Sequence, residues 1–416
     1  MGLLPCHLSC HRDNESQSNS NHLHSESSTS SISSQPSLPS VPSLNSSSSQ
    51  QEQQATKTHH MCKATLKGHT SHVFSLVLGG KFLFSGSLNS EIRAWNRDSS
   101  TSYNHPTDNV IASSSGAVKS LVICEDKLFS AHQDNKIRVW KIGNDLHQKY
   151  KSIATLPTVN DQFLRCFSPN NYVRLRRHKE KTWVHHVDTV SALAVSRDGS
   201  LLYSASWDKT FKIWRTSDFR CLESVGNAHD DAISTIALSK DGFVYTGSAD
   251  NKIKAWKRHA GEKKHSLVAT LEKHKSAVNA LALSNDGTVL YSGASDQSIL
   301  VWERDGNFSD GGNSHMVLVG DIRGHTQAIL CLAVVIDLVC SGSADKTVRI
   351  WRKRIDRSYA CLAVLEGHQR PVKCLAAAVD SSNSKGVSDS STSDYLVYSG
   401  SLDCNIKVWR LSVPFF

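Results

Sequence analysis

The chain has 416 residues, 39% of them hydrophobic and 20% charged, with a formal net charge of +9. It has enough apolar material for a large core, but no apolar run approaches a membrane span, which excludes a bundle of transmembrane helices. The charge is unevenly held: residues 1–60 balance to −2 and the rest to +11, so the body of the chain attracts acidic partners without choosing among protein, nucleic acid and anionic lipid.

Residues 1–60 are dominated by Ser, with Gln, Asn and scattered Pro, as in "SESSTSSISSQPSLPSVPSLNSSSSQQEQQ". Such a segment cannot bury enough apolar surface to offset its ordering entropy, and a disordered tail is expected. Its short apolar start is broken by Pro5 and His7 and has no basic leader, so no signal peptide is expected. Cys6 breaks the myristoylation pattern that Gly2 opens. The histidines of "THHMC" at 58–62 read as solvated side chains rather than metal ligands.

From Ala64 onward one phrase repeats. In "LVCSGSADKTVRIW", ending at Trp351, an apolar run meets a Ser-Gly-Ser-Ala-Asp corner and then an alternating strand closed by tryptophan, which predicts two antiparallel strands around a tight turn. Related phrases end at Trp95, Trp140, Trp214, Trp256, Trp302 and Trp409, giving seven units. A unit of this kind buries one face and needs neighbours to complete its core, so residues 61–412 form one repeat domain, followed by a short end at 413–416. Ala64 to Leu66 looks like a strand without its unit, and the last unit lacks a fourth strand; pairing the two would close a ring and remove the open edge.

Two gaps between tryptophans exceed one unit. They place an insertion near 157–181, with the basic run Arg174, Arg176, Arg177, Lys179 and Lys181, and a Ser/Asp-rich loop near 380–394. The eleven cysteines are scattered without a Cys-x-x-Cys pair and read as reduced thiols serving as small core residues.

Five units carry an Asp, His, Ser (or Thr) and Trp at constant spacing: Asp208, His186, Ser204, Trp214; Asp250, His229, Thr246, Trp256; Asp296, His274, Ser292, Trp302; Asp345, His325, Ser341, Trp351; and Asp403, His368, Ser399, Trp409. Ser, His and Asp together suggest a hydrolase triad. A nucleophile is needed once, however, and a clamp is needed in every unit. Trp only donates, ionised Asp only accepts, and Ser and neutral His do both, so a chain from Trp through Ser and His to Asp leaves no group unsatisfied. The first unit has Asn89 for Asp and the second has Ser114 for His, and both are expected to be looser.

These features resemble the WD40 repeat family over nearly all of residues 62–412, which implies an all-β, seven-bladed propeller; with the tail expected from composition, the fold class is such a propeller behind a disordered Ser-rich segment. The match is carried by Gly68-His69, Gly324-His325, Gly367-His368 and the seven Asp/Asn-to-Trp spacings. The Asp that follows Trp in the family's name is absent throughout, which counts against docking on cullin-based ubiquitin ligases. Segments such as "NYVRLRRHK", "LLYSASWDKTFKIWR" and "AHDDAIS" are similar to the plant JINGUBANG-type WD40 proteins, regulators of pollen germination and tube growth. Nothing resembles a kinase domain, despite labels borrowed from myosin heavy chain kinase among those proteins.

The resemblance also implies three partner-facing positions per blade on the rim where the strand after His begins: the third and fifth residues after His, and the residue before Asp. In blades six, seven and one these give Leu330, Pro371, Lys373, Leu402, His72, Phe74 and Leu88, with Trp207 standing apart in blade three. The expected function is a non-enzymatic scaffold, cytoplasmic or nuclear, that binds a protein or peptide, transcription regulators among them, without cofactor, metal or membrane. The 157–181 insertion is expected at the same rim, steering acidic partners. The competing reading is nucleic-acid or other polyanion binding through the basic rim.

Overall fold

A computed structural model of the chain describes residues 58–97, 109–143, 150–163, 172–176, 179–259, 261–305, 316–380 and 392–414, apart from the side chains of 172–182. The Ser-rich segment through residue 57 and the loop 381–391 lie outside the described residues.

Seven four-stranded antiparallel sheets form the blades, with the two-stranded sheet of the insertion as an addition. In blade three, Val190–Val195, Leu201–Ser206, Phe211–Arg215 and Cys221–Val225 run from the innermost strand, a, to the outermost, d. Each a strand packs against those of its two neighbours, and Val372–Val379 of blade seven against Val73–Gly79 of blade one. The seventh sheet is completed by the start of the domain: His59–Leu66 pairs with Ile406–Pro414, setting Cys62 opposite Trp409 and Leu66 opposite Ile406. Strands from the two ends of the domain thus close the ring, as the sequence leads one to expect.

The core lies between blades. Seven clusters of buried apolar side chains each bridge one adjacent pair, such as Tyr203, Phe211 and Ile213 of blade three with Ile233, Val244 and Trp256 of blade four. The repeated Ser-Gly-Ser has a packing reason here. A Cβ on Gly86 would sit 2.4 Å from Val118 Cγ1 of the next blade, so strand b needs its smallest residue where the neighbouring a strand leans on it. Burial pushes the thiols of Cys331 and Cys340 up to about 12, which makes them inert packing groups.

The insertion after blade two is not a bare loop. It contains the helix Val159–Phe163 and a hairpin of Tyr172–Arg176 with Lys179–Thr182. Asp161 is buried and accepts the Cys221 backbone N–H of blade three at 2.9 Å, which anchors the segment to the outer strand. Periodicity could not reveal this, because each piece is shorter than the window that separates helix from strand.

Candidate functional site

The Trp-Ser-His-Asp sets come together in all five blades named from the sequence. In blade three, Trp214 Nε1–H donates to Ser204 Oγ (2.9 Å), His186 Nε2 lies 2.8 Å from that oxygen, and His186 Nδ1 lies 2.9 Å from Asp208 Oδ2. Asp208 can only accept, so Nδ1 carries the proton and Nε2 accepts from the serine. The Trp–hydroxyl and hydroxyl–His distances are 2.8–2.9 Å in blades four to seven, and His–Asp spans 2.7–3.0 Å.

Each carboxylate is saturated. Asp208 Oδ2 also accepts the Val187 N–H and Oδ1 the Thr210 N–H, tying the b–c corner to the loop that carries His. Burial pushes the Asp208 carboxyl up, but His186 and these hydrogen bonds outweigh it and hold the group below the usual range. Burial likewise lowers His186, His229 and His274 despite their Asp partners. The hydroxyls of Ser204, Thr246, Ser292, Ser341 and Ser399 belong to fully buried residues, out of a substrate's reach. The arrangement is a clamp, not a nucleophile with its base.

The two irregular blades differ from each other. In blade one, His69 Nε2 meets Ser85 Oγ at 2.7 Å, but its buried Nδ1 has no partner, because Asn89 bonds to Ser87 and Thr70 instead. Burial, with Arg93 nearby, pushes His69 down to about 3. In blade two the expected gap is filled. His132, on strand b, sets Nε2 2.8 Å from Ser130 Oγ, and its Nδ1 lies 3.0 Å from the Gly116 carbonyl and 3.3 Å from Ser114 Oγ. Asp134, released from that duty, is held by Arg138 and Ser115. Blade two is therefore rewired rather than loose, a correction to the expectation based on Ser114.

The rim where the d–a and b–c connections emerge, the top, has its own regularity. The fifth residue after His is skipped in the a–b pairing of every blade: Phe74, Lys119, Ser191, Ser234, Asn279, Leu330 and Lys373. Each is a β-bulge, which breaks the pleat and re-aims the side chain. The other two positions are joined in each blade by a backbone bond, as from Leu88 N–H to the His72 carbonyl (2.9 Å), Trp207 to Thr189 (3.0 Å) and Leu402 to Pro371 (3.0 Å). These side chains therefore stand on a stiff frame.

Within this ring Trp207 does not stand apart. The Lys119 ammonium of blade two lies 4.2 Å from the Phe74 ring centroid and 5.7 Å from that of Trp207, linking blades one and three. The His72 ring is 6.3 Å from Phe74, and its Nδ1 lies 2.6 Å from the Leu402 carbonyl, extending the cluster to blade seven. Leu88 is exposed, while His72, Phe74, Trp207, Leu330, Pro371, Lys373 and Leu402 are half-buried. The three positions per blade include Lys119, Lys373 and His72 but no Asp or Glu. Lys119 is the residue the sequence did not single out, since nothing local announces that blades one to three converge on it. Arg174, Arg176, Lys179 and Lys181 lie on the hairpin's backbone, their side chains outside the described residues, as is Arg177 altogether. Among the described residues no group of three His, Cys, Asp or Glu could hold a metal, and no helix is long and apolar enough to cross a membrane.

A family model described as "WD domain, G-beta repeat" matches residues 60–96, 177–215, 220–257, 265–303, 316–352 and 359–410, more than half of the chain. Among curated proteins, three from Arabidopsis thaliana illustrate the similarity: the chain is 28% identical to "Zinc finger CCCH domain-containing protein 62" over 40% of its length and 37% of the relative's. It is 28% identical to "Protein ROOT INITIATION DEFECTIVE 3" over 46% of its length and 45% of the relative's. It is 25% identical to "Autophagy-related protein 16" over 54% of its length and 45% of the relative's. The chain thus spans under half the length of each of these relatives.

Proposed function

We propose that this chain, which belongs to the WD40 repeat family, is a non-enzymatic scaffold that holds a protein or peptide partner on the top of its propeller. One observation carries the reading: Phe74 and Trp207, set on different blades, converge on Lys119 at the bulge ring. Large aromatic side chains on a preorganised frame are the groups that anchor interfaces, because they bury much area at small entropic cost. With Lys119, Lys373 and His72 around them and no carboxylate among these positions, the matching partner offers an apolar anchor beside acidic groups.

Propellers of the family generally mediate protein interactions. The resemblance to JINGUBANG-type proteins supports a narrower reading, a plant regulator of pollen germination and tube growth that meets transcription regulators in the cytoplasm or nucleus. A photo-crosslinking amino acid at position 207 tests the site: it should trap a discrete partner in extract of the source tissue. The same probe at exposed Lys240, on the opposite face, should not trap that partner. Equal trapping at both positions would remove the top face as the site.

A further inference from the structure

On the face opposite the bulge ring, blades three and four leave a cleft of about 530 Å³. Its wall includes Arg197, Asp198, Tyr203, Lys240, Arg258 and His265. The neighbouring slot, between blades four and five, shows what is unusual. There Arg304, two residues after Trp302, grips Asp241 in the "SKDG" turn of the preceding blade at 2.6 and 3.2 Å. Arg258 stands two residues after Trp256, and Asp198 sits in the matching "SRDG" turn, so the same pair is available one blade earlier. It does not form. Asp198, like Asp241 with Ser239, accepts a serine hydroxyl of its own turn (Ser196, 2.5 Å), and it accepts a second from Ser200 (2.6 Å), where blade four has Phe243.

His265 helps keep the slot open. Its side chain is only 2% exposed, its Nδ1 lies 2.7 Å from Glu223 Oε2, its backbone N–H donates to Oε1, and its Nε2 reaches the Tyr203 hydroxyl at 3.5 Å. The Glu223 carboxylate is thereby occupied beneath the cleft. The ionic groups of Arg197, Lys240 and Arg258 make no ion pair or hydrogen bond to any described residue, whereas Arg215, Arg304 and Arg352 on the same face are each paired to a carboxylate. Three free cations against Asp198 and the Glu223 carboxylate beneath leave the cleft with a net positive charge in a volume of the size that small ligands occupy.

We propose that this cleft binds a phosphate monoester. Arg258 and Lys240 take the phosphate oxygens, Arg197 closes over them, and the carrier lies against Leu201 and Leu238. A phosphate monoester carries about −1.5 to −2 at neutral pH, opposite in sign to the cleft's surplus, and guanidinium forks suit its oxygens.

The test is calorimetric titration of the full chain with inorganic phosphate, a phosphoserine peptide and its unphosphorylated twin, and soluble inositol trisphosphate. At least one phosphate-bearing probe should bind one to one. Its affinity should fall roughly tenfold or more in Arg258→Ala and in Lys240→Ala and rise in Asp198→Asn, with melting temperatures unchanged. Preference for the peptide or the inositol probe identifies the carrier. The proposal is overturned if no phosphate-bearing probe binds at millimolar concentration, if the unphosphorylated peptide binds as well as its twin, or if Arg258→Ala binds like the wild type.

Discussion

His132 Nε2 stands 2.8 Å from Ser130 Oγ, the position that in the six other blades belongs to a histidine arriving from the preceding loop. The imidazole has been supplied from strand b, and the donor chain from Trp140 still ends on an acceptor, the Gly116 carbonyl. His132→Ala should therefore cost about 1–3 kcal/mol in urea denaturation, on the scale of His186→Ala, because each strands a buried serine and tryptophan. Ser114→Ala should stay within about 0.5 kcal/mol. A silent His132→Ala would mean that blade two has no working clamp.

Blade one offers the reverse experiment. His69 Nδ1 is buried without a partner, and Asn89 bonds elsewhere. Asn89→Asp should complete the chain, stabilise the protein by about 1 kcal/mol and raise the His69 titration point from about 3, followed by ring-proton NMR. No rise in either quantity would show that the corner cannot reach the imidazole.

Stability should fall on acidification well before the carboxylates titrate. His69 and His132 are pushed down by burial to about 3 and about 4, from an ordinary 6.5. Between those values the unfolded chain holds more protons than the folded one, so stability rises with pH there. The contribution is complete above 6.5 and is lost as pH falls, at about 2 kcal/mol per histidine by pH 5. The depressed carboxyl of Asp208 adds a loss only below its ordinary 3.8. Denaturation midpoints that stay level between pH 7 and 5 would contradict buried neutral imidazoles.

Ring closure makes a deletion test. Removing residues 1–57 should leave the melting temperature unchanged, while removing 1–66 takes away the strand His59–Leu66 and bares the edge of Ile406–Pro414. The longer deletion should lower the melting temperature by roughly 10 °C or more, or aggregate. If both behave alike, the terminal strand does not hold the ring.

The fold and the five regular clamps were legible in the sequence because every blade must solve the same packing problem, and seven repetitions expose the spacing of Ser204, Asp208 and Trp214. His132 was not, because it occupies the strand position that Ser206 and Ser343 fill in other blades, and only the folded register shows its ring turning onto Ser130. The Phe74–Lys119–Trp207 cluster was legible as separate rim positions and not as a contact, since the bulge residues Phe74 and Lys119 and the corner residue Trp207 meet only when the ring is closed. The free Arg258 was hidden for a related reason: its sequence context matches that of Arg304, and both turn aspartates accept a serine hydroxyl, but Asp198 also takes that of Ser200, where blade four has Phe243.

The most direct measurement of the top-face account is a comparative pull-down from the source tissue, with nuclease treatment and at two salt concentrations. The baits are the wild type and a Phe74→Ala, Trp207→Ala variant whose melting temperature shows that it folds. The account predicts protein partners that survive nuclease and salt and disappear with the variant. A catch that is unchanged by the variant but collapses with nuclease or salt would contradict it, and would assign binding to the basic side of the domain.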